Sequence, residues 1–207
     1  MWSQLLRVWV VAVLVTLPAM AEGREAANRL QITVLVYNHA NVEPATVLAA
    51  EKTAAKTYEQ AGVAIVWRNC PAETEADRCV QTADLDQLVL NIAHQTQTLT
   101  SDTYGVAFYG RDGFGTVCDV FYDRILELHR GFRRADEATI LGIIVAHELG
   151  HLLLGENSHS ATGVMQAVFQ YRDFIPTTFG VITFNRQQVR RIGDRLKQIT
   201  LVERASQ

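Results

Sequence analysis

Residues 146–165, AHELGHLLLGENSHSATGVM, hold three of the six histidines of the chain, His147, His151 and His159, together with Glu148, Gly155 and Met165. On a helix, side chains four apart leave the same face one turn above the other, so His147 and His151 can clamp one ion between two imidazoles. Glu148 is turned about 100° from His147 around the axis, which sets its carboxylate beside that ion and not on it. The chemistry that suits this pattern is metal-assisted hydrolysis. Zinc held by imidazoles lowers the pKa of a bound water to about 7, polarises a carbonyl and stabilises the developing oxyanion. A carboxylate in the place of Glu148 is then a general base, taking the water proton and passing it to the leaving amine.

A zinc of this kind takes three protein ligands and keeps one position open, so a third ligand is needed. His159 is the nearest in sequence, and Gly155 can take the positive φ that ends a helix and turns the chain back. Asp173, Asp194 and Glu203 are further candidates, as carboxylate ligands from a later segment. Met165 follows the turn-like SATGV and would form an apolar floor below the ion. Chance occurrence of the pattern is opposed by its setting. His147, Glu148 and His151 lie within an apolar run, 140–154, where polar side chains are expensive to bury without a partner. His39, His94 and His129 read as core histidines with local partners.

The stretch HELGHLLLGENSHSATGVM resembles the active-site region of the metzincin metallopeptidases, whose pattern is HExxHxxGxxH followed by a Met-turn. Here Gly155 comes four residues after His151 and His159 four after Gly155, one more in each interval than that pattern has. The resemblance implies His147, His151 and His159 as Zn2+ ligands, Glu148 as general base and Met165 as the Met-turn residue of a zinc metallopeptidase. Its substrate would be a peptide or protein. It implies a zincin-like sheet above the active-site helix, with an antiparallel edge strand bordering a cleft. It further implies that YGVAFYG, or the turn after it, offers backbone to an extended peptide, and that QAVFQYRDF walls the pocket. Two other readings stay open: a zincin with a carboxylate third ligand, and an exported binding domain that keeps the fold without turnover.

The elements that must position these residues can be read from periodicity. QITVLVY (31–37) and GVAIVW (62–67) are rich in β-branched residues and flank a helical interval with apolar positions at Val47, Ala50, Ala54, Tyr58 and Ala61. Pro44 suits its first turn and Gly62 its end. A β-α-β unit of this kind makes parallel neighbours. QLVLNIA, YGVAFYG and GTVCDVFYD add three strands, the last two separated by RDGFG. DEATILGIIVAHELGHLLLG then predicts a buried helix with Asp136 as N-cap and Gly155 at its end. The final helix starts at Asn185 and Gln188, in capping-box spacing, and has one apolar face of Val189, Ile192, Leu196 and Ile199. The fold class is α+β: a mixed, twisted sheet of about five strands packed on the buried helix, with a C-terminal helix.

The bulk composition bounds the reading. A chain of 207 residues, 48% hydrophobic and 20% charged, suits one globular domain. A net charge of -3 leaves no basic surplus for a nucleic-acid partner, and Arg130, Arg133 and Arg134 read as a solvated loop. Residues 1–21, with Arg7, an apolar run to Leu17, Pro18 and Ala19-Met20-Ala21, read as a signal peptide. The run is shorter than the roughly 20 residues of a membrane span. The expectation is therefore a single mature domain, 22–207, secreted or periplasmic, monomeric and free of the membrane. Export permits a disulfide. Cys70 and Cys79 flank PAETEADR as the base of a loop, which leaves Cys118, in the strand-like TVCDVFY, as a buried thiol or, alternatively, a zinc ligand.

Overall fold

The computed structural model describes residues 30–70, 79, 86–95, 103–132, 134–175 and 182–205. The signal peptide expected at 1–21 and its cleavage site lie outside the described residues. Strand β1 (Leu30–Asn38), helix α1 (Pro44–Glu59) and strand β2 (Val63–Cys70) form the β-α-β unit that opens the fold. Pro44 needs no N–H partner in the first turn, and Val47, Ala50, Ala54 and Tyr58 turn one face of α1 inward. The two strands run parallel, from Leu30 beside Val63 to Tyr37 beside Cys70. A crossover through a packed helix gives this arrangement.

Strand β3 (Gln87–Ala93) joins the other side of β1, and β5 (Gly115–Phe121) joins β3, both parallel. Strand β4 (Gly105–Tyr109) pairs antiparallel with β5, so the sheet order is β2-β1-β3-β5-β4. A tight connection reverses the chain between β4 and β5, with Gly110 N–H donating to the Phe114 carbonyl at 2.6 Å. β4 is thus the edge strand of the sheet, with no strand paired on its outer side among the described residues. The mixed five-strand sheet expected from the sequence is the one observed.

One element differs. The strand-like reading of GTVCDVFYD runs to Asp123 and leaves the arginines in a loop, but the chain enters helix α2 (Tyr122–Gly131) directly after Phe121. α2 has no side-chain cap and only Ile125 fully buried, with Leu128 and Phe132 packed at the core margin. So short an apolar stripe gives little periodic signal. Arg130 is therefore helical and exposed, Arg134 stands in the turn that follows, and Arg133 lies outside the described residues.

Helix α3 (Glu137–Leu154) is the centre of the fold. The Asp136 carboxylate accepts from Thr139 N–H at 3.0 Å, as an N-cap does. Fifteen of its eighteen residues are buried, so α1, α2, the sheet and the C-terminal helix enclose it, which fixes its position on every side. Helix α4 (Arg186–Ala205) covers one flank. Asn185 and Gln188 form the expected reciprocal cap, with 2.9 and 3.0 Å hydrogen bonds, and Ile192, Leu196 and Ile199 enter the core. Cys70 and Cys79 are disulfide-bonded, and Cys118 is a buried free thiol in β5.

Candidate metal centre

The buried axis of α3 presents His147 and His151 one turn apart, as their spacing requires. Their Nε2 atoms lie 3.0 Å from each other, and His159 Nε2 lies 3.2 Å from that of His151. The candidate ligand atoms of all three histidines fall within 4.8 Å of one another. His147 is buried, His151 half-buried and His159 exposed, so the cluster reaches from the protein interior to solvent.

The outer ring nitrogens decide the chemistry of the inner ones. His147 Nδ1 is 2.7 Å from the Val164 carbonyl. A carbonyl only accepts, so Nδ1 carries the proton and Nε2 presents a bare lone pair. Ser158 Oγ stands 2.9 Å from His151 Nδ1 and can accept its proton in the same way. With both Nδ1 atoms protonated, the two Nε2 lone pairs 3.0 Å apart converge on a place that suits a positive centre. Ligand nitrogens 2.0–2.1 Å from a tetrahedral zinc are about 3.3–3.4 Å apart, close to the separations found. Burial, with the neighbouring imidazoles, lowers His147 to about 4 and His151 to about 3. Both are therefore neutral at physiological pH, the form in which imidazole binds a metal.

Glu148 is buried beside the cluster, and burial raises its carboxyl to about 8. Its position depends on a missing side chain. Gly105, the first residue of β4, lies against it: a Cβ there would stand 2.6 Å from Glu148 Cγ and 2.6 Å from the Asp119 carbonyl oxygen. Only glycine admits both the strand pairing and the carboxylate.

These groups line a cleft of about 300 Å³. One wall is β4 with the preceding Thr103 and Tyr104, and the opposite wall carries Ala167 and Phe169. The Phe169 ring meets His147 edge to face at 5.4 Å and packs on Phe174. Tyr109 also lines the cleft. Burial and the nearby Glu148 and Glu156 carboxylates push its phenol up, so it stays protonated. Met165 is fully buried with its sulfur against Gly150, in the turn whose Val164 carbonyl holds His147.

The other sequence candidates stand elsewhere or in other roles. The Asp173 carboxylate accepts from Gln170 N–H in a single 3-10 turn, and Asp194 is exposed beside Lys197. The side chain of Glu203 lies outside the described residues. His39, His94 and His129 are not core histidines. His39 stacks on Tyr37 at the surface, exposed His94 pairs with Asp123 at 3.0 Å, and His129 at the core margin meets the Ala135 carbonyl. His39 lies in a turn, His94 just past the end of β3 and His129 in the last turn of α2, where each is carried outward. Ser158 and Gly105 are functional positions that the sequence pattern does not single out. Ser158 had one signal, its place beside His159, whereas nothing local marks Gly105, whose role depends on a helix forty residues away.

No family model and no curated protein sequence matches the chain. Among solved structures it is similar to archaemetzincin from Methanopyrus kandleri, at 14% identity over 82% of this chain and 98% of that one, with a TM-score of 0.50. It is also similar to a zinc-dependent peptidase from Methanocorpusculum labreanum, at 14% identity over 79% of this chain and 99% of that one, with a TM-score of 0.44. At such identity the likeness is one of fold.

Proposed function

We propose that this protein is an exported zinc metallopeptidase of metzincin type, with His147, His151 and His159 as zinc ligands and Glu148 as general base. The observation that carries the reading is the convergence of three imidazole nitrogens beside a buried carboxylate at the floor of an open cleft. The fold shared with archaemetzincin supports it. The Cys70–Cys79 disulfide is compatible with a compartment outside the reducing cytosol. Zinc held by the three imidazoles supplies Lewis acidity, which polarises a scissile carbonyl and acidifies a water.

The protein's own groups do the rest. Val164 and Ser158 keep the Nδ1 protons of His147 and His151 occupied, so that both Nε2 atoms face the site. Glu148 takes up a proton at its carboxylate and returns it to the leaving nitrogen. Burial raises its affinity for that proton to about 8, which brings the group into the range a general base needs. The backbone of β4 gives an extended peptide an edge to pair with. Among the described lining residues, Tyr104, Val106, Ile144 and Phe169 offer apolar surface and there is no lysine or arginine, which favours an apolar side chain beside the scissile bond.

Replacing Glu148 with Gln tests the catalytic half of the proposal. The variant is expected to bind one zinc as the parent does and to lose turnover of unfolded protein or peptide substrates, measured by the appearance of new amino termini. Turnover that survives the change removes Glu148 from the mechanism.

A further inference from the structure

We infer that Gln188, on the C-terminal helix, is a positioning residue for His159, so that α4 completes the metal site without touching the metal. This inference rests on the metal-site reading above. His159 does not sit on α3. It comes from residues 155–160, a connector with one more residue on each side of Gly155 than the metzincin pattern has. The connector leaves α3 through Gly155 at φ 80° and passes Asn157 at φ 55°. A segment of this shape has few internal hydrogen bonds, and Ser160 ties its end to the following turn, its N–H donating to the Met165 carbonyl and its hydroxyl to the Thr162 carbonyl, both at 2.8 Å. Something must fix it if the third imidazole is to meet the other two.

α4 supplies that restraint. Gln188 is only 4% exposed, and its Nε2 donates to the Ser158 carbonyl at 3.1 Å and to Ser160 Oγ at 3.1 Å. These are the residues on either side of His159. Its Oε1 accepts from Asn185 N–H at 3.0 Å, which orients the amide so that the nitrogen must face the connector. One turn further along α4, Arg191 donates to the Leu154 carbonyl, where α3 ends. Residues three apart share a helix face, so Gln188 and Arg191 hold the two ends of the connector from one side. Ser158 belongs to the same device, because its hydroxyl meets His151 Nδ1. A residue read from sequence as a helix cap thus also locates the third ligand.

The test is a double-mutant cycle on metal binding, with cobalt(II) as the probe in the full chain. Gln188→Glu keeps the length of the side chain and the acceptor for Asn185 but replaces the two N–H donors with an oxygen. It is expected to weaken cobalt binding about 10–100-fold, the range for loss of a group that orients a ligand, and to alter the visible ligand-field band. In a His159→Ala background the same substitution is expected to change neither affinity nor spectrum. Equal weakening in both backgrounds would assign Gln188 to the packing of α4 alone and overturn the inference, as would unchanged binding in both. A parent protein that binds no cobalt overturns the inference together with the metal-site reading, whereas a parent that binds with Gln188→Glu unaffected overturns the inference only. If the buried carboxylate prevents folding, Gln188→Met, similar in volume and without donors, takes its place in the same cycle.

Discussion

The histidine cluster is held by two kinds of structure. His147, Glu148 and His151 project from α3, a helix with fifteen of its eighteen residues buried, where close packing leaves little freedom for the backbone. His159 projects from a partly exposed connector restrained by a few hydrogen bonds at its ends. The helical half is fixed by the core and would keep its arrangement without a metal. The connector half depends on polar contacts that are each worth only about 1 kcal/mol. Two ligands are therefore preorganised, and the third is the adjustable one that a bound ion would order further.

The largest effect expected is loss of the helical half. His147→Ala or His151→Ala is expected to abolish tight zinc binding, measured by competition with a chromophoric chelator, with a loss beyond the 10–100-fold that removal of an orienting group produces. Near-parent affinity in either variant would break the distinction between the two halves.

His159→Ala should have a smaller effect. Zinc affinity falls, but the pair on α3 still binds, and the folded protein keeps its thermal midpoint in the absence of metal because His159 is exposed. Affinity as low as in His147→Ala would show that the connector is as rigidly placed as the helix.

Gly105→Ala sharpens the comparison from the catalytic side. The new methyl would collide with the Asp119 carbonyl and with Glu148, at about 1–3 kcal/mol for overpacking. Denaturant unfolding should register that loss, and turnover should fall because the carboxylate is displaced, while zinc stoichiometry holds. Parent-like turnover would show that the placement of Glu148 does not depend on β4.

The smallest expected effect is on pH dependence in the metal-free protein. His147 and His151 are depressed from 6.5 to about 4 and 3, so as pH falls below 6.5 the unfolded chain takes up protons that the fold refuses, and stability declines. Glu148 is raised from 4.5 to about 8, so as pH rises above 6.5 the unfolded chain has lost a proton that the fold retains, and stability again declines. Between 4.5 and 6.5 the two histidines outweigh the single carboxyl. The site's contribution therefore peaks near pH 6.5, and Glu148→Gln is expected to remove the decline on the alkaline side in urea titrations across pH.

The two halves also differ in how far the sequence revealed them. The i, i+4 spacing of His147 and His151, the apolar run around them, Asp136 as cap and Gly155 as terminator are all local, and α3 follows from them with its boundaries. The five strands were legible for the same reason, through β-branched runs bounded by turns. Helix α2 was not, because Ile125 is its one fully buried residue. The placement of His159 was legible only as a candidate, since the spacing offers no measure of where a connector of that length returns. What decides it is Gln188, twenty-nine residues later, whose capping role was apparent while its bonds to Ser158 and Ser160 are tertiary. Gly105 is likewise a requirement imposed by Glu148 across space.

The metal site is tested most directly by the zinc content of the protein, purified without chelators or a histidine tag and measured by elemental analysis beside His147→Ala. One zinc per chain is expected in the parent and none in the variant. Folded parent protein that carries no zinc and takes up none when it is added would contradict that expectation, and would make the three histidines a feature of packing alone.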